Sequence, residues 1–252
     1  MSLPAHPFCI ALQFLSRLPL SLREAPSPPA LGASLLWYPL IGLLFGALLQ
    51  TLSLLPLPAN LLAALLLAVW VLASGGLHLD GLADSADAWV GGGQDRARTL
   101  AIMKDPRAGA MAVIAIVLVL LLKYAALQTL LRTHSTLLWL APYLARGAMP
   151  ALFLSTAYVR EAGLGSTLAA QLPRRAARLV CLLVAASCAL AGRRGLLVLL
   201  GVTALFLLLR MAMLRRLGGF TGDTAGALLE LSETLALLIL AGYEAAGRGL
   251  EG

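Results

Sequence analysis

The sequence predicts an all-α, polytopic integral membrane helical bundle, built as one membrane-embedded domain over residues 1–252. Three observations predict it. Hydrophobic residues make up 60% of the chain and charged residues only 12%, too little polar surface for a soluble domain of this length. Segments of roughly 18 to 25 mostly apolar residues recur, each about long enough to cross a ~30 Å hydrocarbon core as a helix. The acidic residues, 12 in all, are gathered into a few short motifs.

About seven spans follow, at residues 35–55, 59–77, 109–131, 135–157, 176–192, 195–212 and 226–246. The segment 8–20, FCIALQFLSRLPL, is apolar but interrupted by Arg17 and stopped by Pro19. That pattern predicts a short helix lying in the membrane interface, and no cleavable signal stands out. Cys9, Cys181 and Cys188 show no metal-ligand spacing, and the last two sit in an apolar run as small hydrophobes.

The net charge of +7 informs on topology before it suggests a nucleic-acid partner, and none is expected. Threading the spans puts residues 1–34, 78–108, 158–175 and 213–225 on one side. That side holds Arg17, Arg23, Arg96, Arg98, Lys104, Arg107, Arg160, Arg174, Arg175, Arg215 and Arg216. The other holds only Arg132, Arg193, Arg194 and Arg248, so the first side is predicted to face the cytoplasm, with the N-terminus in and the C-terminus out. Nearly every non-terminal acid falls on the same side.

The densest acidic motif is GGLHLDGLADSADA, residues 75–88. Asp80, Asp84 and Asp87 follow the i, i+4, i+7 pattern and share one helical face. Three such carboxylates repel one another, and a divalent cation between them relieves the repulsion. Hard oxygen donors favour Mg2+ or Mn2+. The bland alternative is a solvated acidic helix end, which the absence of Lys and Arg between residues 75 and 95 weakens. His78, two residues before Asp80, is either structural or part of the same site. Lys104, Asp105 and Arg107 surround Pro106 after an amphipathic stretch; they suit anionic phosphates, or anchor the chain to lipid headgroups. Arg146 lies deep in a span between Pro142 and Pro150, where it serves as a counter-ion to the carboxylates or neutralises a bound pyrophosphate. Lys123 is expected to snorkel outward. In GGFTGDTAGALLELSE, residues 218–233, Thr221 or Asp223 is placed to cap a helix. Glu230 and Glu233, three residues apart inside the last span, read as further metal ligands or as partners of Arg146.

These motifs, with FLSRLPL (14–20), WYPLIGLLFGAL (37–48), LAIMKDPRAGA (100–110) and REAGLG (160–165), resemble the cobalamin synthase family, the adenosylcobinamide-GDP ribazoletransferases. The resemblance covers almost the whole chain in order, with Pro106 standing where the family pattern has Ser. It implies a Mg2+-dependent membrane enzyme of the bacterial inner membrane. Such an enzyme joins α-ribazole, or its 5′-phosphate, to the corrinoid of adenosylcobinamide-GDP and releases GMP. The residues that match the family's motifs are expected to divide the work. His78, Asp80, Asp84, Lys104, Asp105 and Arg107 carry catalysis; Arg160 and Asp223, joined by Arg146 on the strength of its place in the fourth span alone, bind substrate; Asp80, Asp84, Asp87, Asp223, Glu230 and Glu233 hold metal. Expected partners are the corrinoid nucleotide, α-ribazole and the lipid bilayer, with a homo-oligomer or biosynthetic complex left open. Two other classes remain. A CDP-alcohol or prenyl-pyrophosphate phosphotransferase also spaces aspartates at helix ends, and a transporter would line a pathway with intramembrane charges.

Overall fold

A computed structural model describes residues 2–161 and 163–248. Two short strands, β1 (Ser2–Leu3) and β2 (Ser21–Leu22), pair in parallel and bracket α1 (Pro7–Leu15). His6 caps α1 through its ring, with Pro7 at the first position, and the helix ends at Ser16 before Arg17, as the break at Arg17 predicts. Ser27 caps α2 (Pro28–Ser34), which runs through one 3-10 turn (Leu35–Trp37) into α3 (Tyr38–Leu52).

The second predicted span divides. Helix α4 (Ala59–Ser74) stops at Gly75 and Gly76, both with positive φ, and α5 (Leu77–Gly91) leaves at 88° to it. Two consecutive left-handed residues are accessible to glycine at little steric cost, so this pair makes the corner. After α6 (Arg96–Ile102) come α7 (Ala110–Arg132), α8 (Leu140–Ser155), α9 (Leu164–Ala170), α10 (Arg174–Ala189), α11 (Gly192–Leu217) and α12 (Gly222–Arg248).

The all-α polytopic class holds, while the number of spans by length and composition is smaller than seven. Among the described residues four helical stretches are long and apolar enough: 28–52, 110–132, 192–217 and 222–247. The bent α4–α5 pair makes a fifth if taken together. Helices α8 and α10 have 16 residues each, about 24 Å at 1.5 Å per residue, shorter than the hydrocarbon core.

Helix α12 is the centre of the bundle and packs against α5, α7, α8 and α11. Its apolar stretch is 72% buried, against 17% for α11, whose leucines face outward. The α5–α12 crossing is a backbone contact. A Cβ on Gly81 would stand 2.8 Å from the Asp223 carbonyl oxygen, and one on Gly226 would stand 3.2 Å from that of His78. This approach sets the acidic face of α5 beside the start of α12.

Candidate active site

The face predicted from spacing exists, but its three aspartates differ. Asp80 is exposed and Asp84 half-buried, and neither has a hydrogen-bond or ion-pair partner among the described residues. Asp87 is engaged: its carboxylate accepts from the amides of Gly109 (2.5 Å) and Ala112 (3.0 Å). It thereby satisfies orphan donors at the start of α7, a stabilising place for an anion.

Asp223 reaches the same place from α12. Thr221 caps that helix, exchanging bonds with Thr224 in both directions, so Asp223 is left to accept from the Arg160 guanidinium at 2.5 Å. Arg160 is held over the site by its strand-like neighbours: the Val159 amide donates to Phe220 and the Phe220 amide to Ala157. Phe220 is fully buried and packs edge-on against Phe153 and Tyr158.

Burial pushes the Asp84 carboxyl up to about 6, and the charges of Asp80, Asp223 and Asp87 add to it while Arg160 opposes them. Helix α5, with three aspartates in its 15 residues, lies outside the four spans. The site is therefore electronegative in excess of what Arg160 balances. A cavity of about 340 Å3 opens beside it, lined by His78, Asp80, Arg160 and Asp223 at one end and by Tyr38 and Phe153 at the other. His78 is 7% exposed, and its Nδ1 has no partner. A second cavity, about 820 Å3, meets the first at Phe14, Leu77, Asp80 and Leu164 and is lined further along by Arg17.

The structure takes Glu230, Glu233 and Arg146 out of the site. Lys123 Nζ donates to Glu230 Oε2 and Glu233 Oε2, each at 2.6 Å, and the Arg146 guanidinium donates to Glu233 Oε1. All four side chains are at most 6% exposed. Lys123 lies over the Trp70 ring and Arg146 over Phe45. Two cations and two anions cancel in the bundle core, so the glutamates are partners of basic side chains, not expected metal ligands, and Arg146 is their counter-ion instead of a substrate contact. Lys123 does not snorkel; it is as buried as the acids it holds. Of the alternatives open for Arg146 and the glutamates, mutual pairing is the one observed.

Lys104, Asp105 and Arg107 sit on the α6–α7 loop and line neither cavity. Arg107 grips Asp105 through two bonds, at 2.9 and 2.7 Å, which hold the Asp105 carboxyl down at about 2. The loop is drawn toward the acidic face because Asp87 holds Gly109 and Ala112 just beyond it.

Asp80, Asp84 and Asp223 form a hard oxygen donor set with a strong mutual field. Among the described residues no three acidic, His or Cys side chains are close enough to hold a metal by themselves. Mg2+ is commonly bound by one or two carboxylates, with waters and substrate phosphates completing its shell, and this donor set fits that mode. The aromatic lining and Arg17 escaped the sequence reading. Arg17 had a signal, since it lies inside the FLSRLPL motif, but it reads first as an interruption of an apolar helix.

Fold and site together define a polytopic helical membrane protein in which the unpaired Asp80 and the Arg160-bound Asp223 line a partly enclosed cavity beside the α4–α5 corner. Residues 7–241 match the family model described as cobalamin-5-phosphate synthase, and the chain belongs to that family. It is similar to proteins named adenosylcobinamide-GDP ribazoletransferase. That of Pseudomonas syringae pv. syringae is 58% identical over 93% of this chain and 98% of its own length. That of Pseudomonas putida is 60% identical over 93% and 98%, and that of Stutzerimonas stutzeri 57% over 93% and 97%. No solved structure gives a significant match.

Proposed function

We propose that this protein transfers the adenosylcobinamide phosphoryl group of adenosylcobinamide-GDP to α-ribazole or its 5′-phosphate, releasing GMP and forming adenosylcobalamin or its 5′-phosphate. The observation that carries the reading is the contrast among the acids. The buried glutamates are neutralised by Lys123 and Arg146, whereas Asp80 stands unpaired where two cavities meet, and Asp84, unpaired as well, follows one turn on along the same face of α5.

In this reaction a ribazole hydroxyl oxygen forms a bond to the phosphorus carrying cobinamide, the bond from that phosphorus to the GMP oxygen breaks, and the hydroxyl proton passes to a base. His78, which lines the cavity, would orient that hydroxyl or receive its proton. Asp80 and Asp84, with Asp223, would hold Mg2+, which supplies charge neutralisation on the diphosphate and its leaving oxygen. Arg160 adds positive charge and keeps Asp223 in place. Lys104 and Arg107, on the α6–α7 loop outside both cavities, would supply further positive charge to the phosphates. Phe153, Tyr158 and Phe220 exclude water from the apolar end.

Purified protein given adenosylcobinamide-GDP and α-ribazole is expected to release GMP and form a cobalamin product only with Mg2+. A cytidine diphosphate donor is expected to be inert; turnover of it instead of the corrinoid would transfer the reading to the CDP-alcohol class. Because Asp84 must lose its proton to bind metal, the Mg2+ needed for half-maximal rate should rise by up to about tenfold per pH unit below 6. A requirement independent of pH from 5 to 8 would remove Asp84 from the metal.

The excess of Lys and Arg on the loops that carry the site supports an active site toward the cytoplasm, with the N-terminus in and the C-terminus out, and the bacterial relatives support the inner membrane as its location. In a cysteine-free background, Lys104→Cys is expected to resist an impermeant thiol reagent in whole cells and Arg193→Cys to react. The reverse pattern would invert the topology.

A further inference from the structure

The reaction proposed above has two substrates, and the site has two cavities that meet at Asp80. The cavities differ in chemistry. In the smaller, Tyr38, Phe153 and Phe220 provide aromatic walls, and its cation Arg160 is already paired with Asp223. A further anion placed there would face Asp80 and Asp223 with little free positive charge, whereas a flat, uncharged aromatic base would find apolar walls.

The larger cavity, about 820 Å3, lies within the range of small-ligand pockets. It runs from the end of α1 to the α4–α5 corner. Arg17 lines it with no carboxylate within ion-pairing distance among the described residues, although Asp80 borders the same space. Its backbone is fixed by a bond from its amide to the Ala73 carbonyl (2.8 Å), and its side chain lies across Gly75, where any Cβ would collide with it. Gly75 and Gly76 leave the N-terminus of α5 bare, and no side chain caps it. Ser16 and Ser74 spend their hydroxyl protons on Leu12 and Val71 carbonyls, so the guanidinium is the main side-chain donor of this space. A guanidinium grips two phosphate oxygens at once, and a helix N-terminus nearby favours the same charge.

We propose that the Arg17 cavity is the subsite for the nucleotide phosphates, the part of the donor that leaves as a nucleoside monophosphate, while the aromatic cavity takes the base of the nucleophile. The proposal rests on the reaction assigned above. It places the phosphorus under attack at Asp80, between the two. A cleft of this kind separates donor from acceptor by charge: a dianion is drawn to the free cation and repelled by the acids beyond it.

Arg17 also borders an apolar groove with Leu44, Leu48 and Leu72, so a lipid phosphate is the other source of the same chemistry. Arg17→Ala and Arg17→Lys, assayed in phospholipid-free detergent and in vesicles of phosphatidylglycerol and phosphatidylethanolamine, separate the two. In the Ala variant the KM for adenosylcobinamide-GDP and the inhibition constant for GMP should both rise about tenfold or more, in both media. The KM for α-ribazole should change less than about twofold, and Lys should recover part of the loss. If the defect appears only with ribazole 5′-phosphate, Arg17 serves the nucleophile and the proposal falls. If the nucleotide constants are unchanged and only the response to anionic lipid is lost, Arg17 binds headgroups and it falls equally. Direct calorimetric binding of GMP to wild type and variant gives a reading even if no corrinoid turns over, and so separates failure of this subsite from failure of the assigned reaction.

Discussion

Asp84→Asn is expected to lower the rate of GMP release by about 10^2- to 10^3-fold while the protein still inserts and purifies as wild type does. Asp84 is half-buried, has no protein partner, and lies in the field of Asp80 and Asp223. Replacing its charge removes a strained carboxylate, so the fold should not suffer. Chemistry that depends on holding Mg2+ against a diphosphate should. Asp87→Asn is the internal contrast. Its carboxylate holds the amides of Gly109 and Ala112, and its loss should lower thermal stability more than it lowers turnover. Steady-state rates and unfolding midpoints on the two variants check this; equal activity loss without destabilisation in both would restore Asp87 to the metal set.

Glu233→Gln should have the largest effect on folding. The substitution leaves the Arg146 guanidinium, 1% exposed, with the Pro142 carbonyl and the Phe45 ring and no neutralising charge, and it takes one of two carboxylates from Lys123. Breaking a buried pair from one side costs about 3–5 kcal/mol, a large share of the roughly 5–15 kcal/mol that stabilises a typical protein. The yield of monodisperse protein and its unfolding midpoint should fall sharply. Replacing both members, Arg146→Met with Glu233→Met, should recover much of the loss, since Lys123 retains Glu230. A Glu233→Gln protein that folds normally and loses only its Mg2+ response would instead make Glu233 a ligand.

This network also shows why the sequence reading placed too many acids in the site. Glu230 and Glu233 are three residues apart on one face, as ligands often are, but Lys123 lies 107 residues from Glu230, and Lys123 and Arg146 lie 110 and 87 residues from Glu233. No spacing rule connects Lys123, Arg146 and Glu233, because the pairing depends on α7, α8 and α12 meeting in space. Asp87 was ambiguous for a related reason. Its stripe on α5 was legible, but the amides that occupy it belong to another helix.

The sequence by itself determined the membrane class, the positions of most helices, the shared face of Asp80, Asp84 and Asp87, and the family resemblance, because each rests on local composition, periodicity or a contiguous motif. Only the tertiary structure decided the 88° corner after Ser74, the close α5–α12 approach through Gly81 and Gly226, the neutralised core of Lys123, Arg146, Glu230 and Glu233, and the two cavities meeting at Asp80. The physical reason is that a charge has one identity in sequence but takes its role from what neutralises it. In a bilayer that partner must come from whichever helix the fold sets beside it.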